Sequence, residues 1–345
     1  MSYRQLVPQS NRNNKVMRKE ILFQMKSAYR DDFKIWGYRF GNGEKTACIV
    51  GPMRGDEVQQ QFICAQIVQE LQRIEAAGGI EDSRSILVIP SCNPFSMNVG
   101  RRFWAMDGTD INRMFPGYDQ GETTQRIAAA IFKHLEGFKY GLQLASFYVP
   151  GEFVPHVRML RTGYEDVEAA RLFGFPYVTV RKPLPFDTTL LNYNWQIWNT
   201  SAFSVYAGHT DSINAECSHQ AVVAVLRFLS GIGAIAVQSN SSPNDTAEPT
   251  AHPELCAMNS FFPGYQSAFL DEEDLLTLTA HHAGIYVREK KASDSVKAGE
   301  VLARIMHPYD SRVLEEIRAT HDGVIFFSHH RPLVLQNTLL YKIVQ

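Results

Sequence analysis

From residue 16 to 42 the chain alternates apolar and polar positions (VMRKEILFQMKSAYRDDFKIWGYRFG) and runs into Gly-Asn-Gly. That period of two predicts a β-hairpin leading into a first buried strand. Beyond it, short unbroken apolar runs take turns with helical patterns. TACIVG (46–51) precedes a helix over 57–77 that Gly78-Gly79 ends, and SILVIPS (85–91) is the next strand. A helix at 122–136 precedes YGLQLASFY (140–148), and another at 164–173 precedes PYVTVR (176–181). AFSVYAG (202–208) then leads to a helix at 215–230. Strands that are apolar throughout are covered on both faces. The pattern therefore predicts an α/β domain with a mixed, mostly parallel sheet flanked by helices.

The character changes past residue 239. SNSSPNDTAEPTAHPE (239–254) is polar and proline-bearing and reads as a loop. The last seventy residues hold no long helix but do hold an internal echo. AGIYVREKKASDSVKAGEVLARI (283–305) parallels DGVIFFSHHRPLVLQNTLLYKI (322–343), each a strand, a loop, Val-x-x-Gly/Asn and a second strand. Two such units predict a small all-β barrel or sandwich. The expected organisation is an α/β domain over 1–238, a linker and loop over 239–275, and a β-rich domain over 276–345.

Composition changes this picture little. Hydrophobic residues make up 45% and charged residues 20%, as in a globular protein without extended disorder. A net charge of -2 gives no reason to expect nucleic acid or an anionic membrane as a partner. AVVAVLRFLSGIGAIAV (221–237) is broken by Arg227 and glycines and reads as a buried helix followed by a strand. The N-terminal stretch lacks the apolar core of a signal peptide, and five scattered cysteines form no metal or disulfide pattern. A cytoplasmic protein is expected, with self-association left open.

Two stretches carry candidate chemistry. IVGPMRGDEVQQQF (49–62) puts Arg54, Asp56 and Glu57 in the turn between a strand and a helix, a favoured ligand position in α/β folds. SCNPFSMNVGRRFWAMDGTDINRMFPG (91–117) gathers Arg101, Arg102, Asp110, Asn112 and Arg113 in one loop, residue types suited to gripping a carboxylate. With the GPMRGDE turn, the DINRMFPG element resembles the succinylglutamate desuccinylase/aspartoacylase family, relatives of the M14 zinc carboxypeptidases, and the C-terminal repeat is similar to that family's second domain. The resemblance implies a zinc-carboxypeptidase-like fold and N-acyl amino acid deacylation. Zinc would be held by a His-x-x-Glu pair and a later His in an Asp-Leu-His strand. A Glu in a Thr-x-Glu-x-Gly strand would act as base, and Arg and Asn-Arg residues would hold the substrate carboxylate.

Carried over position by position, the resemblance puts the ligand set at Arg54, Glu57 and Ala145, and the base at Tyr206 in Ser204-Val205-Tyr206-Ala207-Gly208. Gln143 replaces the acid beside the second histidine. Arginine has no free lone pair, alanine has no donor, and one carboxylate is too little for Zn²⁺. A neutral phenol is a poor base near neutrality. Arg102, Asn112 and Arg113 match the carboxylate grip, with Arg54 positioned to pair with Glu57. No cofactor is expected, unless zinc is bound by a site rebuilt from other ligands, for which His156, His209 and Glu216 are the candidates. Two readings follow. One is a metal-free binder of a carboxylate-bearing N-acyl amino acid or peptide. The other is an amide hydrolase with an altered or relocated site. NYNWQIWNT (192–200) is a candidate lid, or ordinary aromatic packing.

Overall fold

The computed structural model describes residues 17–236 and 266–345. The loop expected at 239–254 and Cys256 lie outside the described residues. Strands β1 (Arg18–Met25) and β2 (Phe33–Gly41) form the expected hairpin, with Ile21 opposite Trp36. Strand β3 (Glu44–Val50) leads into helix α1 (Val58–Ala76), and β4 (Arg84–Ile89) follows. A short helix α2 (Pro94–Asn98) and a 3-10 turn at Ile111–Arg113 punctuate the long loop before α3 (Thr123–Leu135). Then come β5 (Tyr140–Leu144), β6 (Gly151–Leu160), α4 (Val167–Arg171), β7 (Tyr177–Arg181), α5 (Leu191–Ile197), β8 (Ser201–Gly208) and α6 (Ala215–Gly231). Among the described residues, no helix is long and apolar enough to cross a membrane.

Alternate side chains of the central strands enter different cores, which is why those strands read as unbroken apolar runs. Ala47 and Ile49 of β3 and Ile86 and Val88 of β4 pack with Ile67 of α1 and Val225 of α6. Cys48, Val50, Leu87 and Ile89 pack on the other face with Ile131 of α3 and Trp195 of α5. Strands β4, β3, β5 and β8 are parallel, and β6 joins β8 antiparallel.

Several elements depart from the sequence reading, among them the unpredicted α2, α5 and β6 and the shortened α4. Strand β6 was not anticipated because Pro155 and Arg158 interrupt its pattern. Its pairing with β8 shifts register between Phe153 and His156, the kind of irregularity that tolerates proline in a strand. Helix α4 is shorter than 164–173, because Glu165 takes the backbone N–H groups of Thr162 and Gly163 into a tight turn instead.

Strands β9 (Ala268–Asp271) and β10 (Leu276–Thr279) precede the repeat, and β9 pairs with β7. The repeat's first half is β11 (Gly284–Arg288), β12 (Ser295–Val296) and β13 (Val301–Met306), followed by β14 (Val313–Arg318). The second half is β15 (Gly323–His329), β16 (Leu333–Val334) and β17 (Leu339–Val344). Each two-residue strand pairs with the long strand of the other half, β12 with β15 and β16 with β11, so the echo is a pair of interlocked units. Leu302, Ile305, Ile325, Leu340 and Ile343 fill the space between them. Strand β15 also pairs with β6, placing Phe327 opposite Phe153, so the large sheet runs into the C-terminal part. Gly151 makes this approach feasible, since a Cβ there would lie 2.4 Å from the Phe327 ring. His281 and His282 lie in the bend after β10, and both Nδ1 atoms face Glu315 at 2.7 and 3.4 Å.

Candidate functional site

The turn after β3, the loop after β4 and the residues following β5 meet at the carboxyl ends of the parallel strands, where open α/β sheets hold ligands. A cavity of about 510 Å³ opens there, and Arg54, Glu57, Asn112, Arg113, Ala145 and Tyr206 all line it. The fold thus brings these six positions, from four separate segments of the chain, to one place. A more open groove of about 840 Å³, lined by Arg30, Trp36 and Phe95, holds none of them.

Glu57 is almost completely buried, at 2% exposure. Its Oε2 accepts the backbone N–H groups of Met53 (3.1 Å) and Arg54 (3.2 Å). Its Oε1 accepts Arg54 Nη1 (3.1 Å) and the Ser146 hydroxyl. An ionised carboxylate has about four lone-pair positions, and here four donors fill them. Arg54 reaches from Glu57 to Asp110, where its Nε and Nη2 donate to Oδ2 at 3.2 and 2.8 Å. Burial alone would lower the Arg54 guanidinium, but Glu57 and Asp110 outweigh it and hold it above its ordinary range. Gly55 allows the two loops to touch: a Cβ there would lie 2.3 Å from the Arg101 carbonyl oxygen, and its N–H donates to the Arg102 carbonyl at 2.9 Å.

The implied carboxylate grip is only partly assembled. Asn112 faces the cavity, and its Oδ1 accepts Gln143 Nε2 at 3.0 Å. Gln143 Oε1 in turn accepts Asn192 Nδ2 at 2.9 Å, and Asn192 also donates to Ser204. A neutral amide chain therefore occupies the place where the resemblance implies an acidic neighbour. Arg113 stands at the rim, donating to the Phe186 carbonyl at 3.1 Å with its guanidinium 5.1 Å from the Phe186 ring. Arg102 does not line the cavity. It is held by Asp56 (2.8 Å) and the Phe147 carbonyl (3.4 Å), so it braces the loop from outside. Arg101 is exposed and bonds the Ala105 carbonyl. Trp195 is buried in the core against Gly141, and Trp198 meets Phe132 edge-on at 5.2 Å, so the indoles of 192–200 are packing elements rather than a lid.

At the implied base position, Tyr206 accepts Arg158 Nη1 on its hydroxyl at 2.9 Å. Its ring stacks on His156, with centroids 4.9 Å apart. His156 is fully buried and bonds the Val154 carbonyl through Nδ1 at 2.8 Å. Burial first, and Arg158 second, push its imidazole down to about 3. His209 pairs with Glu152 at 3.0 Å, and Glu216 is exposed in the first turn of α6. None of these three lines the cavity. Among the described residues, no group of three or more His, Cys, Asp or Glu is placed to hold a metal ion. The residues present do not fit the family's zinc: two of the three ligand positions offer no lone pair, and the third has its lone pairs committed.

The sequence reading missed Arg158, Glu272 and Lys342, which form the far wall. Arg158 and Glu272 make a buried ion pair, with Lys342 Nζ 3.6 Å from the same carboxylate. Burial pushes the Glu272 carboxyl up, but Arg158 and Lys342 outweigh it and hold it below the usual carboxylate range. The one signal available was an arginine inside an otherwise apolar run.

The family model of the succinylglutamate desuccinylase/aspartoacylase catalytic domain matches residues 43–146. The N-alpha-acetyl-L-2,4-diaminobutyric acid deacetylase of Halomonas elongata is 24% identical over 290 residues, covering 81% of this chain and 76% of that protein. A succinylglutamate desuccinylase from Silicibacter sp. TM1040 superposes with a TM-score of 0.74 at 18% identity, each chain fully covered. The product-bound ectoine utilization protein EutE from Ruegeria pomeroyi gives a TM-score of 0.72 at 18% identity over 98% of each chain. Residues 43–146 thus match that family's catalytic-domain model, on a fold shared with solved structures described as its members.

Proposed function

We propose that this protein is a metal-free, cytoplasmic binder of a carboxylate-bearing N-acyl amino acid or peptide. One observation carries the reading: Glu57 is saturated by Arg54, Ser146 and two backbone N–H groups where the family has a metal ligand. A guanidinium neutralises the carboxylate, yet offers no coordination position at which a water could be activated. The cavity lies where the resemblance places the site and is rich in cations, with Arg54, Arg113, Arg158, Arg181 and Lys342 against Glu57, Asp187 and Glu272, which suits an acidic ligand. Asn112 and Arg113 contact the ligand from the loop side. Cys48, Cys64, Cys92 and Cys217 are all free, in keeping with a reducing compartment.

The test combines metal analysis of the purified protein with calorimetry against N-acetyl amino acids. Substoichiometric zinc together with measurable binding is the expected result. One zinc per chain, lost on Glu57→Gln, would overturn it. A second reading, amide hydrolysis by altered residues, rests on the Ser146 hydroxyl held against Glu57. It requires turnover of an N-acyl amino acid that Ser146→Ala abolishes.

A further inference from the structure

The charges around the cavity are unevenly distributed. On the loop side, Arg54 and Arg113 face Glu57 and Asp110, and the signs balance. Arg181 is matched by Asp187 at 2.8 Å. Against β6 and β17, however, Arg158 and Lys342 share the single carboxylate of Glu272. One positive charge is left over there, in the part of the cavity where solvent screens least.

The same wall holds two polar atoms without partners. Arg158 spends Nη1 on Tyr206 and lies against Glu272, yet among the described residues its Nη2 has no hydrogen-bond partner. Asn192 spends Nδ2 on Gln143 and Ser204, and its Oδ1 likewise has none. Both residues line the cavity and are more than nine-tenths buried, at 6% and 8% exposure. They are also neighbours: Arg158 pairs directly across from Ser204 on β8, and Asn192 bonds the Ser204 hydroxyl. Buried donors and acceptors are ordinarily satisfied, so an unmade pair in the wall of a cavity indicates what the cavity receives.

We infer that Arg158 and Asn192 form the subsite for the amino-acid half of the ligand, with its carboxylate on Arg158 Nη2 and its adjacent amide N–H on Asn192 Oδ1. In an N-acyl amino acid these two groups sit on one carbon, so neighbouring partners suit them. Lys342 adds its charge from β17, which makes the C-terminal part a contributor to recognition. This inference rests on the ligand class proposed above. It moves the carboxylate away from Arg113, whose side chain is 38% exposed and already engaged by Phe186.

Calorimetry with a panel of N-acetyl-L-amino acids tests it. For each binder, the analogue methylated on the amide nitrogen is compared on the wild-type protein, which needs no variant. That analogue is expected to bind at least tenfold more weakly, and Asn192→Ala should erase the difference. Arg158→Met combined with Glu272→Gln removes both buried charges together. It should weaken the parent ligand at least tenfold, and by more than Arg113→Ala does. Equal binding of the methylated analogue to wild type overturns the subsite and leaves the proposed ligand class intact. So does binding lost in Arg113→Ala but kept in the double variant. No binding by any panel member overturns both.

Discussion

Arg54 holds Glu57 from both ends of its own residue, donating its backbone N–H to Oε2 at 3.2 Å and its guanidinium to Oε1 at 3.1 Å. The same side chain also neutralises Asp110. Arg54→Met would therefore strand the buried Glu57 carboxylate and leave the part-buried Asp110 with Arg113 alone. Breaking a buried pair typically costs about 3–5 kcal/mol, because the uncompensated charge stays behind. Urea denaturation is expected to show a loss of that size, with more than half recovered in Arg54→Met/Glu57→Gln/Asp110→Asn. A loss below about 1 kcal/mol in the single variant would mean that the ion pair does not hold this turn together.

The same geometry predicts how a metal would return. Arg54→His with Ala145→His supplies two imidazoles beside Glu57, the ligand count that zinc needs with one open position. We expect zinc to bind this double variant at one per chain by metal analysis, and to bind either single variant substoichiometrically. If Arg54→His alone binds one zinc per chain, ligands outside the three family positions are contributing.

Much of this was legible before the structure. The apolar runs of β3 and β4 announced a sheet buried on both faces, and the repeat from 283 onward announced two similar β units, though not that they interlock. The turn carrying Arg54 and Glu57 and the loop carrying Asn112 were legible because chemistry and spacing coincide within a few residues. Arg158 was not. It acts through Tyr206, 48 residues away, and through Glu272 and Lys342, and only the order of strands β6, β8 and β17 brings them together. Arg102 misled in the opposite direction: its residue type suits the motif, but Asp56 and the Phe147 carbonyl hold it outside the cavity.

Acid should loosen the wall behind Tyr206. His156 sits neutral in the fold, pushed down to about 3 by burial and Arg158, and His329 is pushed down to about 4, again mainly by burial. Both would titrate near 6.5 when unfolded. The unfolded chain therefore binds more protons below that pH, so stability is complete above about 6.5 and falls as pH drops toward the folded values. Each histidine contributes a slope approaching about 1.4 kcal/mol per pH unit. His156→Phe keeps the stack on Tyr206 and removes one such slope. Urea midpoints measured between pH 7 and 5, above the range where ordinary carboxylates titrate, should decline less steeply in the variant. Parallel declines would show that His156 is not buried neutral.

Tyr206→Glu puts an acidic residue where the resemblance implies the base, but here it would meet Arg158 rather than a metal-bound water. The phenol oxygen already accepts Arg158 Nη1 at 2.9 Å, so a carboxylate placed there would form an ion pair with that guanidinium. The positive charge left over on the far wall would then be cancelled from within the protein. An acidic ligand would lose its partner and also meet a like charge. We expect Tyr206→Glu to stay folded, to weaken binding of an N-acetyl amino acid at least tenfold in calorimetry, and to show no deacylation. Hydrolysis appearing on this one substitution would mean that the cavity still holds the rest of a working deacylase, and that the phenol at position 206 was the missing part.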